Sequence, residues 1–360
     1  MNQDSFRRLV SGERCSLGAV LLRFLLGIAS QVYSIVITGR NFLYSNGLLK
    51  IHHADAAVIS VGNITTGGTG KTPLVIRLCK QIMSNSQCAI LTRGYKATKN
   101  LKLRTQNYEN EPAILAESCP GIQVVVNPDR VAGAAEAVST FGAKVLIMDD
   151  GFQHRRLARD LDIVTIDATV PFGYGKLLPA GLLREPVAAL KRADAAVITR
   201  SDQSTEAELT QLEDKLQQIN PEMVIARSIH APVCVKSIGN GEIALEELKS
   251  KKIFAFCGIG NPDAFFKTVK ELGTKLIGSK IYNDHYHYTD DCLADIYEQA
   301  KHIKADLILT TQKDWFSSPL SAKTNANDGV FFAYLAIELK FVSGEDKITQ
   351  LIEDALAGKI

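Results

Sequence analysis

The chain has 360 residues, 46% of them hydrophobic, enough for one large core and for two domains of ordinary size. Lys and Arg total 41 against 39 for Asp and Glu, a net charge of +2, which excludes a general attraction to nucleic acid and leaves any basic patch local. Seven cysteines, at positions 15, 79, 88, 119, 234, 257 and 292 with no CxxC pair, argue against a disulfide framework or a clustered zinc site and read as reduced thiols.

The first segment, 1–50, is dominated by Leu17 to Thr38, an almost wholly apolar stretch interrupted by Arg23 and Gln31. A spanning helix needs about 20 apolar residues, and a charge near mid-span costs a few kcal/mol. Spanning is therefore disfavoured. The run begins late for a signal peptide, and no small-residue cleavage pattern precedes Arg40 and Asn41. On the residues alone two placements stand equal: a helix in the bilayer interface, or one packed on the protein's own core.

From Ala56 onward short β-rich runs alternate with helical stretches, the pattern of a parallel sheet flanked by helices. Strands are expected at Ala56–Val61, Cys88–Thr92, Ile122–Val126, Ala143–Met148, Leu161–Ile166 and Ala195–Thr199. Helices are expected at Pro73–Met83, Asp129–Phe141 and Thr205–Gln217. A second α/β series follows the polar stretch Gly239–Lys252. It reads strand Ile253–Cys257, helix Pro262–Leu272, strand Lys275–Tyr282, helix Asp290–His302, strand Asp306–Thr311, strand Val330–Ala336 and helix Ile348–Ala355. The expected division is thus 1–50, 51–235 and a smaller α/β domain at 236–360.

One stretch carries chemistry by itself. Thr65-Thr66-Gly67-Gly68-Thr69-Gly70-Lys71-Thr72 follows an apolar strand and opens a helix, the setting in which a phosphate-binding loop makes physical sense. Glycines let backbone N–H groups turn toward phosphate oxygens, and the helix N-terminus adds its positive end. Lys71 would reach the β- and γ-phosphates of ATP, and the Thr72 hydroxyl would ligate Mg²⁺. Thr65 stands where such loops carry their first glycine, so Gly67 and Gly68 must supply the turn.

A second apolar strand ends in Asp149-Asp150-Gly151-Phe152-Gln153-His154. Ligands gather at the carboxyl ends of parallel strands, which puts both aspartates beside the loop as Mg²⁺ ligands, directly or through water. Phosphoryl transfer also needs groups that place the acceptor and offset developing charge. Arg93, Arg130, Gln153 and His154 are the candidates, each with a solvated or hydrogen-bonded structural role as its plain alternative.

These stretches resemble the tetraacyldisaccharide 4′-kinases, the lipid A 4′-kinase family. The resemblance runs from Ile59-Ser60-Val61-Gly62-Asn63 through the loop, Arg93-Gly94-Tyr95 and the acidic strand end. It continues through Leu178-Pro179-Ala180-Gly181-Leu182-Leu183-Arg184-Glu185-Pro186, Gly258-Ile259-Gly260-Asn261-Pro262, Asp284-His285 and Thr311-Gln312-Lys313-Asp314. It implies a P-loop NTPase-like fold with a second domain closing the active-site cleft. The implied reaction moves the ATP γ-phosphate to the 4′-hydroxyl of a tetraacylated glucosamine disaccharide 1-phosphate. It implies too that Leu17–Thr38 associates with membrane and acyl chains, with Arg23 and Arg40 meeting lipid phosphates. The expected molecule is a monomer, peripheral on the cytoplasmic face of the bacterial inner membrane, with no nucleic-acid partner. Tyr95 and Glu185 join the acceptor-binding candidates on the same grounds, and His285 matches the family's catalytic histidine.

One departure bears on the chemistry. The family's Gly-Asp-Glu-Pro is Glu109-Asn110-Glu111-Pro112 here, so the carboxylate that pairs with the histidine is an amide. Asn110 can orient an imidazole but accepts no proton. Either Glu109, Glu111 or Asp284 supplies a carboxylate, or the enzyme is slow, or activity is lost. Two other readings stay open at this point: a P-loop kinase or ATPase for another small molecule, and a nucleotide-binding scaffold without transfer.

Overall fold

The computed structural model describes residues 3–83, 87–94, 110–237, 241–283, 286–322 and 330–357. In chain order the elements are α1 (Gln3–Val10), α2 (Leu17–Ser45), β1 (Ala57–Gly62), α3 (Lys71–Ile82), β2 (Cys88–Thr92), α4 (Asn110–Ser118), β3 (Gln123–Val126), α5 (Arg130–Phe141), β4 (Val145–Asp149), β5 (Leu161–Asp167) and β6 (Ala195–Thr199). There follow α6 (Glu206–Ile219), β7 (Val224–Ser237), β8 (Gly241–Ala244), β9 (Lys252–Cys257), α7 (Pro262–Glu271), β10 (Lys275–Ile281), α8 (Asp290–His302), β11 (Leu307–Thr311), α9 (Gln312–Phe316), β12 (Phe331–Ser343) and α10 (Glu345–Ala357).

The chain forms two compact units, one of residues 1–94, 119–230 and 339–360, the other of residues 95–118 and 231–338. Two segments thus belong elsewhere than their place in the chain suggests. Helix α4 joins the second unit, and α10 returns to the first.

In the first unit the strand order is β7-β6-β5-β1-β4-β2-β3, with the paired strands parallel. Strands β1, β4 and β6 are buried along their whole length, which explains why they read as unbroken apolar runs rather than alternating ones. Pairing of β1 with β4 sets Val61 opposite Asp149, so the segment leaving β1 and the acidic end of β4 emerge side by side. The second unit has the order β10-β9-β11-β12-β7-β8, in which β10, β9, β11 and β12 pair in parallel and β8 is antiparallel to β7. Its core is built from Phe254, Phe256, Tyr288, Ile296, Trp315 and Tyr334 on one face and Val235, Leu248, Phe265, Val269 and Leu309 on the other.

Helix α2 is inverted relative to an ordinary surface helix. Only Ala19 and Ser30 are buried, whereas Leu17, Leu21, Phe24, Ile35, Val36 and Phe42 are each more than 60% exposed. Polar groups make the attachment to the first unit. Ser30 Oγ donates to the Leu177 carbonyl (2.9 Å), Tyr33 Oη to the Arg184 carbonyl (2.9 Å), and Asn41 Nδ2 to Glu185 (2.7 Å). The apolar side of this stretch is therefore not packed on the core. The two arginines expected to face lipid are turned inward instead: Arg23 donates to the carbonyls of Leu9 and Arg14, and Arg40 lies 3.7 Å from Glu185.

Candidate functional site

The loop after β1 is held by its own polar residues. Asn63 Nδ2 donates to the Thr65 carbonyl (2.7 Å) and to Thr69 Oγ1 (3.0 Å), and Thr69 Oγ1 lies 2.7 Å from Thr165 Oγ1. Thr199 Oγ1 on β6 donates to the Thr69 carbonyl at 2.9 Å. A second segment braces the loop from its entry side: Arg184 N donates to the Ile64 carbonyl and Thr66 N to the Leu182 carbonyl, both at 2.7 Å. This places the Leu178-to-Pro186 stretch, which has a cis Leu178-Pro179 bond, against the loop.

The unusual Thr65 is accommodated because the left-handed positions fall elsewhere, on Gly67 (φ 113°) as expected and on Gly70 (φ 86°) rather than Gly68. Thr65 pairs in extended backbone with Leu183. Gly70 opens α3, and no side chain caps that helix. Its first-turn N–H groups are therefore the orphan donors an anionic ligand takes.

Lys71, the first residue of α3, points its ammonium at Asp150, with Nζ 3.4 Å from Oδ1. Arg184 Nη1 reaches both oxygens of the same carboxylate, at 2.9 and 2.8 Å. Burial works against the charge on Asp150, but the Lys71 and Arg184 charges outweigh it and hold the carboxyl well below the usual range. Asp150 sits in the left-handed region (φ 52°), as does Arg200 (φ 54°) at the end of β6. Backbone in that region costs a side-chain-bearing residue about 1–3 kcal/mol and is kept where its position matters. Here both residues line the loop, since Arg200 also pairs with Asp167 and donates to the Gly68 carbonyl at 2.8 Å.

Arg130 feels the charge of both aspartates and His154 that of Asp150, and Arg93 acts on both Arg130 and His154. Arg130 is nearly fully buried and donates to the carbonyls of Asn127 (2.7 Å) and Asp149 (3.1 Å). Burial lowers it to about 10 even though both aspartates oppose the shift. Burial, with Arg130 and Arg93 nearby, pushes the His154 imidazole down to about 4 against the pull of Asp150, so it is neutral at pH 7. Arg93 is exposed. Gln153 Nε2 donates to the Asn63 carbonyl at 2.7 Å, which ties the acidic strand end to the loop. Glu185 is completely buried and accepts from Asn41 and Arg192. Its visible work is to seat α2.

Several residues around the loop carry no local sequence signal of their role, Thr165 and Thr199 among them. Arg184 lies within a noticed motif, next to a residue that was chosen. Arg200 directly follows a predicted strand, where ligand-facing residues concentrate. His230 gave no signal: its Nε2 is shielded from solvent with no hydrogen-bond partner and lies 2.8 Å from where a Cβ on Gly70 would sit. Burial and the Arg200 charge lower it to about 3. Tyr95, Glu109, Asp284 and His285, and the side chains of Asn110 and Glu111, lie outside the described residues.

In the second unit two of the noticed stretches meet. Asp314 Oδ1 accepts from Gly258 N and Tyr288 Oη, both at 3.0 Å, and Oδ2 from Thr311 Oγ1 at 2.6 Å. Burial raises the Asp314 carboxyl against these bonds.

Among the described residues no three of His, Cys, Asp and Glu cluster as a metal cage. The oxygen set of Thr72, Asp149 and Asp150 suits Mg²⁺, which keeps several waters and takes one or two carboxylates together with substrate phosphates.

Residues 22–357 match the family model described as LpxK, tetraacyldisaccharide-1-P 4′-kinase. A tetraacyldisaccharide 4′-kinase of Anaeromyxobacter sp. is 36% identical over 367 residues, covering 97% of this chain and 96% of its own. That of Syntrophus aciditrophicus is 40% identical over 309 residues, 81% and 83% of the two chains. The crystal structure of LpxK from Aquifex aeolicus in complex with ATP superposes with a TM-score of 0.71 at 30% identity, over 93% of this chain and 99% of that one.

Proposed function

This chain belongs to the tetraacyldisaccharide-1-P 4′-kinase family and is an ATP-dependent kinase of lipid A biosynthesis, and from that premise we propose how its residues divide the work. The loop from Thr65 to Thr72 takes the nucleotide phosphates on its backbone N–H groups and on Lys71. Lys71 then shares its ammonium between Asp150 and the terminal phosphate. Arg184 keeps Asp150 ionised and fixed, and Arg130 fixes the backbone of Asp149 from beneath. Thr72, Asp149 and Asp150 would hold Mg²⁺, which neutralises phosphate charge during transfer.

Transfer joins the acceptor's 4′-oxygen to the γ-phosphorus as the bond to ADP breaks, and the hydroxyl proton goes to a base. We assign that base to the His285 region, with Asn110 orienting rather than accepting. A transition state that is loose allows positioning to carry most of the acceleration, so an amide at this place is compatible with turnover. We assign the acceptor to His154, neutral at pH 7, and to Arg93, and Tyr95 joins them only by its place in the Arg93-Gly94-Tyr95 motif. The outward apolar side of α2 docks on the membrane surface where such an acceptor resides, which makes the protein peripheral on the cytoplasmic leaflet.

The observation that carries this reading is the Lys71–Asp150–Arg184 group at the braced loop. Its test is transfer of labelled γ-phosphate from Mg·ATP to the tetraacylated disaccharide 1-phosphate in detergent micelles. Lys71→Ala is expected to lose at least about 10²-fold in rate with its melting temperature kept, and the native chain to turn over without Asn110→Asp. Turnover that appears only in Asn110→Asp would refute the assigned base arrangement.

A further inference from the structure

An arginine from outside the family-matched region lies on the phosphate loop. Helix α1 precedes residue 22, where that match begins, and is fixed by its C-terminal turn. Leu9 and Val10 are buried, Ser11 N donates to the Arg7 carbonyl at 2.8 Å, and Arg23 of α2 donates to the Leu9 carbonyl at 3.3 Å. From this helix the half-buried Arg7 extends over the loop, where an Nη nitrogen lies 3.1 Å from the place a Cβ on Gly67 would occupy. Any side chain at 67 would crowd that guanidinium, and the left-handed backbone there (φ 113°) independently favours glycine. Arg8, the next residue, is turned away: it is exposed and pairs with Glu13 at 3.2 Å.

A guanidinium offers a rigid fork of donors matched to phosphate oxygens. Placed over a loop whose N–H groups and lysine hold the β- and γ-phosphates, it meets the charge that spreads onto the γ-phosphoryl oxygens during transfer.

We propose that Arg7 is a catalytic residue, an arginine supplied in cis by α1 that bonds the γ-phosphoryl group of ATP. The proposal rests on the loop being the nucleotide site. Arg7 forms no covalent bond: the γ-phosphorus bond to the ADP oxygen breaks, that to the acceptor oxygen forms, and the acceptor's proton leaves to the base as before.

The test uses the full chain, with steady-state kinetics and equilibrium binding of ATP and of ADP for Arg7→Ala, Arg7→Lys, Arg8→Ala and Lys71→Ala. Arg7→Ala is expected to lower kcat by about 10²-fold and to weaken ATP while leaving ADP affinity unchanged. Arg7→Lys should recover only part of the rate, free guanidinium ion added to Arg7→Ala should recover part of it, and Arg8→Ala should behave as native. Native kcat in Arg7→Ala overturns the proposal. Equal weakening of ATP and ADP with full rescue by lysine overturns it too, since that pattern marks a brace for the loop. Retained activity in Lys71→Ala would instead defeat the assignment of the loop itself.

Discussion

Around the loop, side chains meet opposite demands: some stay charged where we place phosphate, and some stay neutral although shielded from solvent. His230 belongs to the second kind. Its folded value of about 3 lies below the ordinary 6.5, so the unfolded chain takes up a proton first as pH falls. Its contribution is therefore complete above about pH 6.5 and is lost between there and pH 3, amounting to about 2 kcal/mol at pH 5. Urea midpoints at pH 7.5 and pH 5 are expected to fall further for the native protein than for His230→Gln, and equal falls would refute the neutral buried imidazole. Arg184 belongs to the first kind: Arg184→Ala leaves Asp150 to Lys71 alone, and turnover is expected to drop about tenfold or more with a far smaller change in melting temperature. Loop, lysine and acidic strand end were legible in the sequence because each rests on local spacing. The bracing residues were not, because Thr165, Thr199, Arg200 and His230 meet the loop only through the order of the strands.

Among the elements, α2 shows how composition can give the length and not the orientation of a helix. Its apolar run predicts a helix correctly and leaves its placement undecided. The polar bonds of Ser30, Tyr33 and Asn41 decide which side faces in. Replacing Leu21, Phe24 and Ile28 by serine is expected to reduce cosedimentation with anionic phospholipid vesicles by about tenfold per residue, at about 1.5 kcal/mol of lost burial each, with the melting temperature unchanged. Tyr33→Phe should do the reverse, removing about 1 kcal/mol of stability and leaving vesicle binding intact. If serine at these three positions unfolds the protein, the apolar side is not outward. Strand β7 was not expected because Pro232 and the charged Arg227 and Lys236 interrupt its pattern, and proline ordinarily demotes a strand assignment. Helix α4 was missed for a related reason: it has only nine residues, and Pro112 is acceptable there because it falls in the first turn.

For the molecule as a whole, the first unit is assembled from three separated stretches, a fact that no local pattern carries. Strand β12 and the helix after it bring the last of these. Leu339, Ile348 and Ile352 are buried, Arg77 pairs with Glu345, and Gln81 Nε2 donates to Thr349 Oγ1 at 3.0 Å. Arg77 and Gln81 lie on α3, the helix whose first turn we propose as the phosphate site. Ile348→Ala and Ile352→Ala are each expected to cost about 2–4 kcal/mol and, under mildly destabilising conditions, to lower the ATP-binding fraction in parallel with folded protein, although both lie far from the loop in sequence. Unchanged melting would show that α10 is not part of the first unit's core. The same arrangement sets an order of events during synthesis. Helix α2 is complete at residue 45, but the core beneath the phosphate loop lacks Ile352 until roughly 300 residues later, about 15–60 s of translation at about 5–20 residues per second. A nascent chain thus exposes the apolar side of α2 well before it can bind a nucleotide, so the docking on the bilayer that we propose precedes any use of ATP.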